Sequence, residues 1–263
     1  MLKTRILSAL VIAPPILFAG WFGEWPFTLF VAICGFLMAW EWMSLCRQRF
    51  GITGVVLGAI LALVAVLAQG KPIWVAFMIL IVALPLISAL AQRTKVNPGW
   101  VSVGVLYLGV PLAAVVIVRG EGGWQTLFWL FVVVWSTDIG AYAFGRSIKG
   151  PKIAPSISPS KTWSGLLGGM LCAAAGSALF IMFTHVEYAA TMQDVVIIAS
   201  CLAVVAQAGD FLESAIKRRF NVKDSGKIIP GHGGVLDRVD GLMAAACVVA
   251  VIVLIREGGI ASW

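Results

Sequence analysis

The chain has 263 residues, is 60% hydrophobic and 12% charged, and carries a formal net charge of +7 at a mean hydropathy of +0.99. Such a composition excludes a soluble globular domain and a disordered segment, because neither tolerates repeated apolar runs near the ~20 residues that take a helix across a hydrocarbon core. The five cysteines lie in or at the ends of apolar runs without CxxC spacing and read as small buried hydrophobes, so that neither a disulfide framework nor a zinc site is implied.

In chain order, the hydropathy predicts an all-α, polytopic integral membrane protein with about nine transmembrane helices. They are centred near Ala13, Cys34, Ile60, Leu80, Gly109, Val132, Ala173, Val204 and Val249. The N-terminal run, with Pro14 and Pro15, resembles a signal sequence but lacks a convincing cleavage site, and is read as the first membrane helix. Tryptophans near predicted span ends, among them Trp21, Trp25, Trp40, Trp42, Trp100 and Trp124, fit an interfacial belt. Pro85 and Pro111 inside spans are expected to kink helices.

Nine spans put nearly all lysines and arginines on one side and leave only Lys71, Arg119 and Arg256 opposite. The positive-inside rule then places the N-terminus in the cytoplasm. The net positive charge is thereby a charge of the cytoplasmic face, explained by topology and anionic lipid headgroups, and no nucleic-acid partner is expected. Residues 1–120 are read as supporting N-terminal membrane helices, and residues 121–263 as the catalytic membrane region.

Three polar constellations fall on the predicted cytoplasmic side. Asp138, towards the inner end of the sixth span, is a costly carboxylate at that depth and calls for a partner such as Arg146, a hydroxyl or a bound cation. Next comes KIAPSISPSKTWSG, where Ser158, Ser160, Lys161 and Thr162 are placed at the opening of the seventh helix. Serines and a lysine at a helix start suit a phosphate, and serine followed by proline is equally an ordinary cap.

The third runs from the end of the eighth span through a glycine-rich loop into the ninth. At 100° per residue Asp210, Ser214 and Lys217 share one helix face, with Arg218 beside them and Glu213 on the flank as a pairing partner for Lys217. Gly231, Gly233 and Gly234 allow close backbone approach around His232. Asp237 and Asp240 follow at the start of the ninth span, where Asp237 also reads as an N-cap. Carboxylates from two helix ends, Asp210 and Asp237 with Asp240, can hold a hard divalent cation that shares its shell with substrate phosphates. Basic residues between them make a phosphoryl- or nucleotidyl-transfer site in which positioning and charge stabilisation do most of the catalysis.

The stretch Ser214 to Asp240 resembles the signature of the phosphatidate cytidylyltransferases, or CDP-diacylglycerol synthases. It is carried by the serine, Lys217-Arg218, Lys223-Asp224, His232-Gly233-Gly234 and Asp237-Arg238-Val239-Asp240. The similarity extends upstream through KIAPSISPSKTW to Asp138, Gly140, Ala141 and Tyr142; Ser164 stands where that family commonly has an acidic or amide residue. The resemblance implies transfer of the cytidylyl group of CTP to phosphatidic acid, giving CDP-diacylglycerol and pyrophosphate in phospholipid biosynthesis. It implies Mg2+ as cofactor and allows a second, monovalent cation such as K+.

On the same resemblance Asp210, Asp237 and Asp240 are the expected metal ligands, with Asp224 as a ligand or a support behind them. Lys161, Lys217, Arg218, Lys223 and Arg238 are expected to neutralise the phosphates of CTP and lipid, with Gly233 and Gly234 cradling pyrophosphate. Asp138, Ser158 and Ser214 are expected to line the substrate site, and His232 serves either a phosphate or its own loop. A bacterial inner membrane location, a cytoplasm-facing site and a homodimer are further implications. The alternatives are a CTP-dependent polyprenol kinase and, from another class, an ion-coupled transporter using Asp138 and Asp210.

Overall fold

A computed structural model describes residues 2–70, 72–184, 191–229, 231 and 233–263. Among them are nine long helices: α1 Leu2–Phe22, α2 Glu24–Leu45, α3 Gly51–Gln69, α4 Trp74–Arg93, α5 Pro98–Gly120, α6 Gly123–Ser147, α7 Trp163–Thr184, α8 Met192–Arg219 and α9 Leu236–Arg256. Each of the nine predicted centres falls inside one of them. Among the described residues α2 to α9, eight helices, are long and apolar enough to cross a membrane; beside them stands the shorter apolar stretch Ala13–Phe22 of α1. Helices are the only open-chain way to satisfy backbone hydrogen bonds in hydrocarbon, so this architecture follows directly from the hydropathy.

The departure from an all-helical chain is a small antiparallel hairpin, β1 Lys152–Ala154 with β2 Ser158–Thr162, pairing Lys152 with Thr162 and Ala154 with Ser158. Its approach from α6 passes through left-handed Lys149 (φ 60°) and Gly150 (φ 107°). Ser158, Ser160, Lys161 and Thr162 therefore lie on a strand and not in the first turn of α7, which begins at Trp163. Pro159 carries no N–H and fits this short edge strand.

The chain folds as two compact units. One comprises Met1–Gly120 and Arg219–Val239, the other Glu121–Arg218 and Asp240–Trp263. In the first unit the core includes Trp42, Leu57, Leu61, Leu80 and Leu108, all at most 1% exposed. Trp42 is not part of an interfacial belt: its indole Nε1 donates to the Trp100 carbonyl at 2.9 Å and its ring lies against Tyr107. The absence of a side chain at Gly104 makes room for that indole, since a Cβ there would come within 2.7 Å of its Cδ1. Trp21, Trp25 and Trp40 are exposed, as a belt requires.

In the second unit α6 and α7 approach along a glycine seam. A Cβ on Gly140 would meet Cys172 Sγ at 2.7 Å, and one on Gly165 would meet the Ala141 carbonyl at 2.9 Å. Small residues at such a seam let the two backbones approach where no hydrophobic effect separates helix from lipid. Above the seam Trp129 Nε1 donates to Ser177 Oγ at 2.6 Å. Of the cysteines Cys46 is buried, which pushes its thiol up to about 12, whereas Cys201 is exposed on its apolar helix and is not the buried hydrophobe that the pattern predicted.

Candidate active site

The second unit gathers the carboxylates. α8 presents Asp210 and Glu213 one turn apart, and Gly209 lets α9 come close enough to bring Asp240 to them: a Cβ at position 209 would lie 2.6 Å from the Asp240 carbonyl. Ligand oxygens of Asp210, Glu213 and Asp240 all lie within 4.8 Å of one another. Such proximity of like charges is unfavourable unless cations intervene. Two are built in: Lys161 Nζ is 2.6 Å from Asp210 Oδ2, and Lys217 Nζ is 2.6 Å from Glu213 Oε2. Lys161 also donates to the Gln207 carbonyl at 3.3 Å and sits 4.4 Å from the centre of the Phe211 ring. Ser214 Oγ donates to Asp210 Oδ1 at 3.3 Å, and Asp240 Oδ1 accepts from the Gly241 amide at 2.9 Å.

Three carboxyl groups beside two ammonium groups make a cluster whose metal-ligating atoms are all oxygen. That donor set fits a hard divalent cation, which takes oxygen ligands and tolerates partial ligation completed by water or phosphate. Glu213 belongs to the cluster although the sequence placed it only as the partner of Lys217, a role it also has. Its i+3 spacing from Asp210 was the available signal.

Beside the carboxylates lies a cavity of about 560 Å³, in the range of small-molecule sites, lined by Asp138, Asp210, Arg146, Lys149, Lys152 and Lys161 among others. Four cations against two carboxylates make its wall basic. Asp138 is thus placed in one cavity with Lys161 and Asp210, residues 23 and 72 positions further on. Arg146 turns towards Tyr142, donating to its hydroxyl at 3.3 Å with the guanidinium 5.9 Å from the ring centre. Gln207, one turn before Asp210, is 6% exposed and its Nε2 meets no acceptor among the described residues. Ser158 is buried at the hairpin, and Arg218 Nε donates to the Ile157 carbonyl of its turn at 3.4 Å. Ser164 ties the same segment down, donating to the Lys149 carbonyl and bonding Thr162 Oγ1.

The first unit holds the rest of the signature, folded around two carboxylates. Ile229 and Gly233 exchange backbone hydrogen bonds of 2.9 and 3.1 Å, closing a narrow loop. Gly231 (φ 77°) and Gly233 (φ 88°) take the left-handed conformations that such a loop needs. Asp237 Oδ2 accepts from the Gly234 amide at 2.8 Å, the Ser225 amide at 2.9 Å and Ser225 Oγ at 3.0 Å. Asp237 is not the N-cap that the sequence suggested, because α9 begins at Leu236; from inside the first turn its carboxylate reaches back to amides that precede the helix. Lys223, Asp224 and Arg238 are exposed. His232, expected in this loop, lies outside the described residues.

The second carboxylate is Glu41 of α2, 1% exposed. Its Oε1 accepts from the Val235 amide at 2.8 Å, and its Oε2 from the Leu236 amide at 2.9 Å and Ser225 Oγ at 3.4 Å. These are the orphan donors at the start of α9, whose positive dipole end favours an anion. Glu41 has no motif around it; a lone carboxylate in an apolar run, AWEWMSL, is the one signal in the sequence that it has a role.

A profile described as the cytidylyltransferase family matches residues 3–256. The chain is 40% identical over 254 residues to the phosphatidate cytidylyltransferase of Brucella suis biovar 1 (strain 1330), covering 93% of this chain and 90% of that protein. It is 39% identical over 181 residues to the protein of that name from Rickettsia felis, covering 67% and 79%. With the Staphylococcus saprophyticus protein, also so named, identity is 32% over 248 residues, covering 91% and 93%. Matched over almost its whole length, and carrying the acidic cluster and basic cavity in one unit and the glycine loop in the other, the chain belongs to the cytidylyltransferase family.

Proposed function

We propose that the protein transfers the cytidylyl group of CTP to phosphatidic acid, giving CDP-diacylglycerol and pyrophosphate in phospholipid biosynthesis. One observation carries the reading: an all-oxygen cluster, Asp210, Glu213 and Asp240, beside a basic cavity into which Lys161 delivers a charge, in a chain of the cytidylyltransferase family. The cavity suits phosphate esters, and the cluster suits the cation that accompanies them.

A phosphomonoester is largely a dianion near neutral pH, its second pKa being about 6, so the lipid phosphate attacks without a general base. One of its oxygens bonds to the α-phosphorus of CTP as the bond from that phosphorus to the bridging oxygen of the β-phosphate breaks, and pyrophosphate leaves with the electron pair. Lys161, Lys217, Arg218, Lys223 and Arg238 offset the charge that builds on the departing and bridging oxygens. Gly233 and Gly234, whose own amides are taken by Ile229 and Asp237, let the loop backbone approach the pyrophosphate closely, His232 supports that loop, and Asp138, Ser158 and Ser214 line the substrate site. The metal ligands of this reading are Asp210, Asp237 and Asp240, joined by Glu213, with Asp224 behind them. Bound there, Mg2+ supplies charge neutralisation and alignment of the CTP phosphates. A monovalent cation such as K+ is the second proposed ion.

The site of this reading opens on the cytoplasm, where CTP is dissolved, at a bacterial inner membrane whose inner leaflet holds the lipid, and the protein works as a homodimer. Residues 121–263 form its catalytic region and residues 1–120 its membrane support. The test is pyrophosphate release by purified protein in mixed micelles with CTP and Mg2+, with and without phosphatidic acid, and with Asp210→Asn as control. Release that needs both substrates and disappears in the variant is the expected result. CDP as product instead would convert the reading to a CTP-dependent kinase, and flux in sealed vesicles without CTP would convert it to a transporter.

A further inference from the structure

Besides Glu24 at its first residue, the apolar α2 carries a carboxylate, Glu41, where none is needed to cross a membrane, and the hydrogen bonds of Glu41 run to a single loop. Glu41 takes two backbone donors, Val235 and Leu236, and the hydroxyl of Ser225. Asp237 takes the Ser225 hydroxyl as well, together with the amides of Ser225 and Gly234. The loop from Ser225 to Asp237 is therefore held between two acids that share one hydroxyl, one from the far end of the chain and one of its own.

The packing gives a second, independent observation. Gly226 and Gly234 rest directly on the Glu41 side chain: a Cβ at position 226 would lie 2.8 Å from its Oε1 and one at 234 would lie 2.6 Å from the same atom. Two glycines at one carboxylate mean that the backbone wraps it. An ordinary cap asks for one donor or two at one helix end; here a carboxylate from another helix holds the Val235 and Leu236 amides at the start of α9, directly after the Gly233–Gly234 turn.

We infer that Glu41 is a positioning residue for cytidylyl transfer, acting through the Ser225–Leu236 loop and Asp237, with which it shares the Ser225 hydroxyl. It touches no substrate; it fixes the loop that does. The inference rests on the proposed reaction for its kinetics and on the geometry alone for its structural half.

The test compares wild-type protein with Glu41→Ala and Glu41→Gln in the micellar pyrophosphate assay, alongside amide hydrogen exchange across Ser225–Leu236. Loss of a partner that orients groups at a reacting centre typically costs roughly 10- to 100-fold in activity. The expected result for Glu41→Ala is a fall of about that size in kcat/KM for CTP with a raised KM for CTP, an unchanged KM for phosphatidic acid, and faster exchange at Val235 and Leu236. Glu41→Gln keeps one carbonyl acceptor and recovers part of the loss; it also serves if the alanine variant does not fold. A merely structural role would lower the fraction of active protein and leave both KM values at wild type, which overturns the inference. Faster exchange with wild-type kinetics overturns it as well. If the wild-type protein releases no pyrophosphate, the proposed reaction fails and the positioning role falls with it, while unchanged exchange in an active Glu41→Ala protein overturns the positioning role alone.

Discussion

Replacing Glu213 by glutamine separates the carboxylates that the structure assembles from those that the motif alone points to. Glu213 is 2% exposed and its Oε2 receives Lys217 Nζ at 2.6 Å. The amide keeps the shape and an acceptor for the Lys217 ammonium, so what is lost is charge: an ion pair becomes a bond from a charged donor to a neutral carbonyl, a deficit of about 1–2 kcal/mol. The same deficit of about 1–2 kcal/mol applies to a divalent cation held by the trio, which raises the half-saturating Mg2+ concentration roughly 5- to 30-fold. The assay is a Mg2+ titration of pyrophosphate release at saturating CTP and lipid, with the thermal midpoint in detergent as a folding control. A Glu213→Gln protein with wild-type Mg2+ dependence removes Glu213 from the cation site. Parallel titration of Asp237→Asn then shows whether that residue carries charge to the cation or only orders its loop.

Four further outcomes follow from the same geometry. Lys161→Ala removes the cation 2.6 Å from Asp210 and should lower kcat by roughly 100- to 1,000-fold, the usual cost of losing one charge-stabilising donor; steady-state kinetics at saturating Mg2+ check it. Gly140→Ala forces a methyl group against Cys172 Sγ, 2.7 Å from the ideal Cβ, and should cost about 1–3 kcal/mol of stability, read as a lower thermal midpoint. Gly234→Ala, directed at Glu41 and Ser225, should abolish turnover in a protein that still elutes as a folded particle on size exclusion. Chelation with EDTA should stop pyrophosphate release, and Mg2+ should restore it without refolding.

Much of the membrane architecture was legible because it depends on one quantity, apolar run length, which needs no partner to interpret. The predicted centres all fall inside helices because Arg47, Arg93, Arg146 and Lys149 mark water at the ends of the runs. The hairpin was not legible. Three- and five-residue strands are too short for alternation to register, and Ser158-Pro159 imitates the start of a helix. Trp42 was misplaced because sequence position near a span end says nothing about which face a side chain takes. Within the site, the Asp210–Ser214 and Glu213–Lys217 contacts follow from helical spacing and were readable. Lys161 with Asp210 was not: the two stand 49 positions apart, and only the docking of the hairpin against α8 decides that they meet. The pairing of Glu41 with Val235 and Leu236 is more distant still, and spacing carries no trace of it.

That last separation bears on biogenesis. Glu41 precedes the amides that receive it by 194 and 195 positions, so a ribosome-bound chain must insert α2 and hold a bare carboxylate in it while most of the protein is still unmade. Insertion scales put an acidic residue at mid-helix at about +2.5–3.5 kcal/mol, less near a helix end. Glu41 is a few residues from the end of α2, where the penalty is small enough for the helix to enter and wait. The glycine loop can close only after the final helix has arrived, so the nascent protein has no competent loop until its membrane body is nearly complete. Synthesis order thus delays the chemistry until the scaffold that shields it exists.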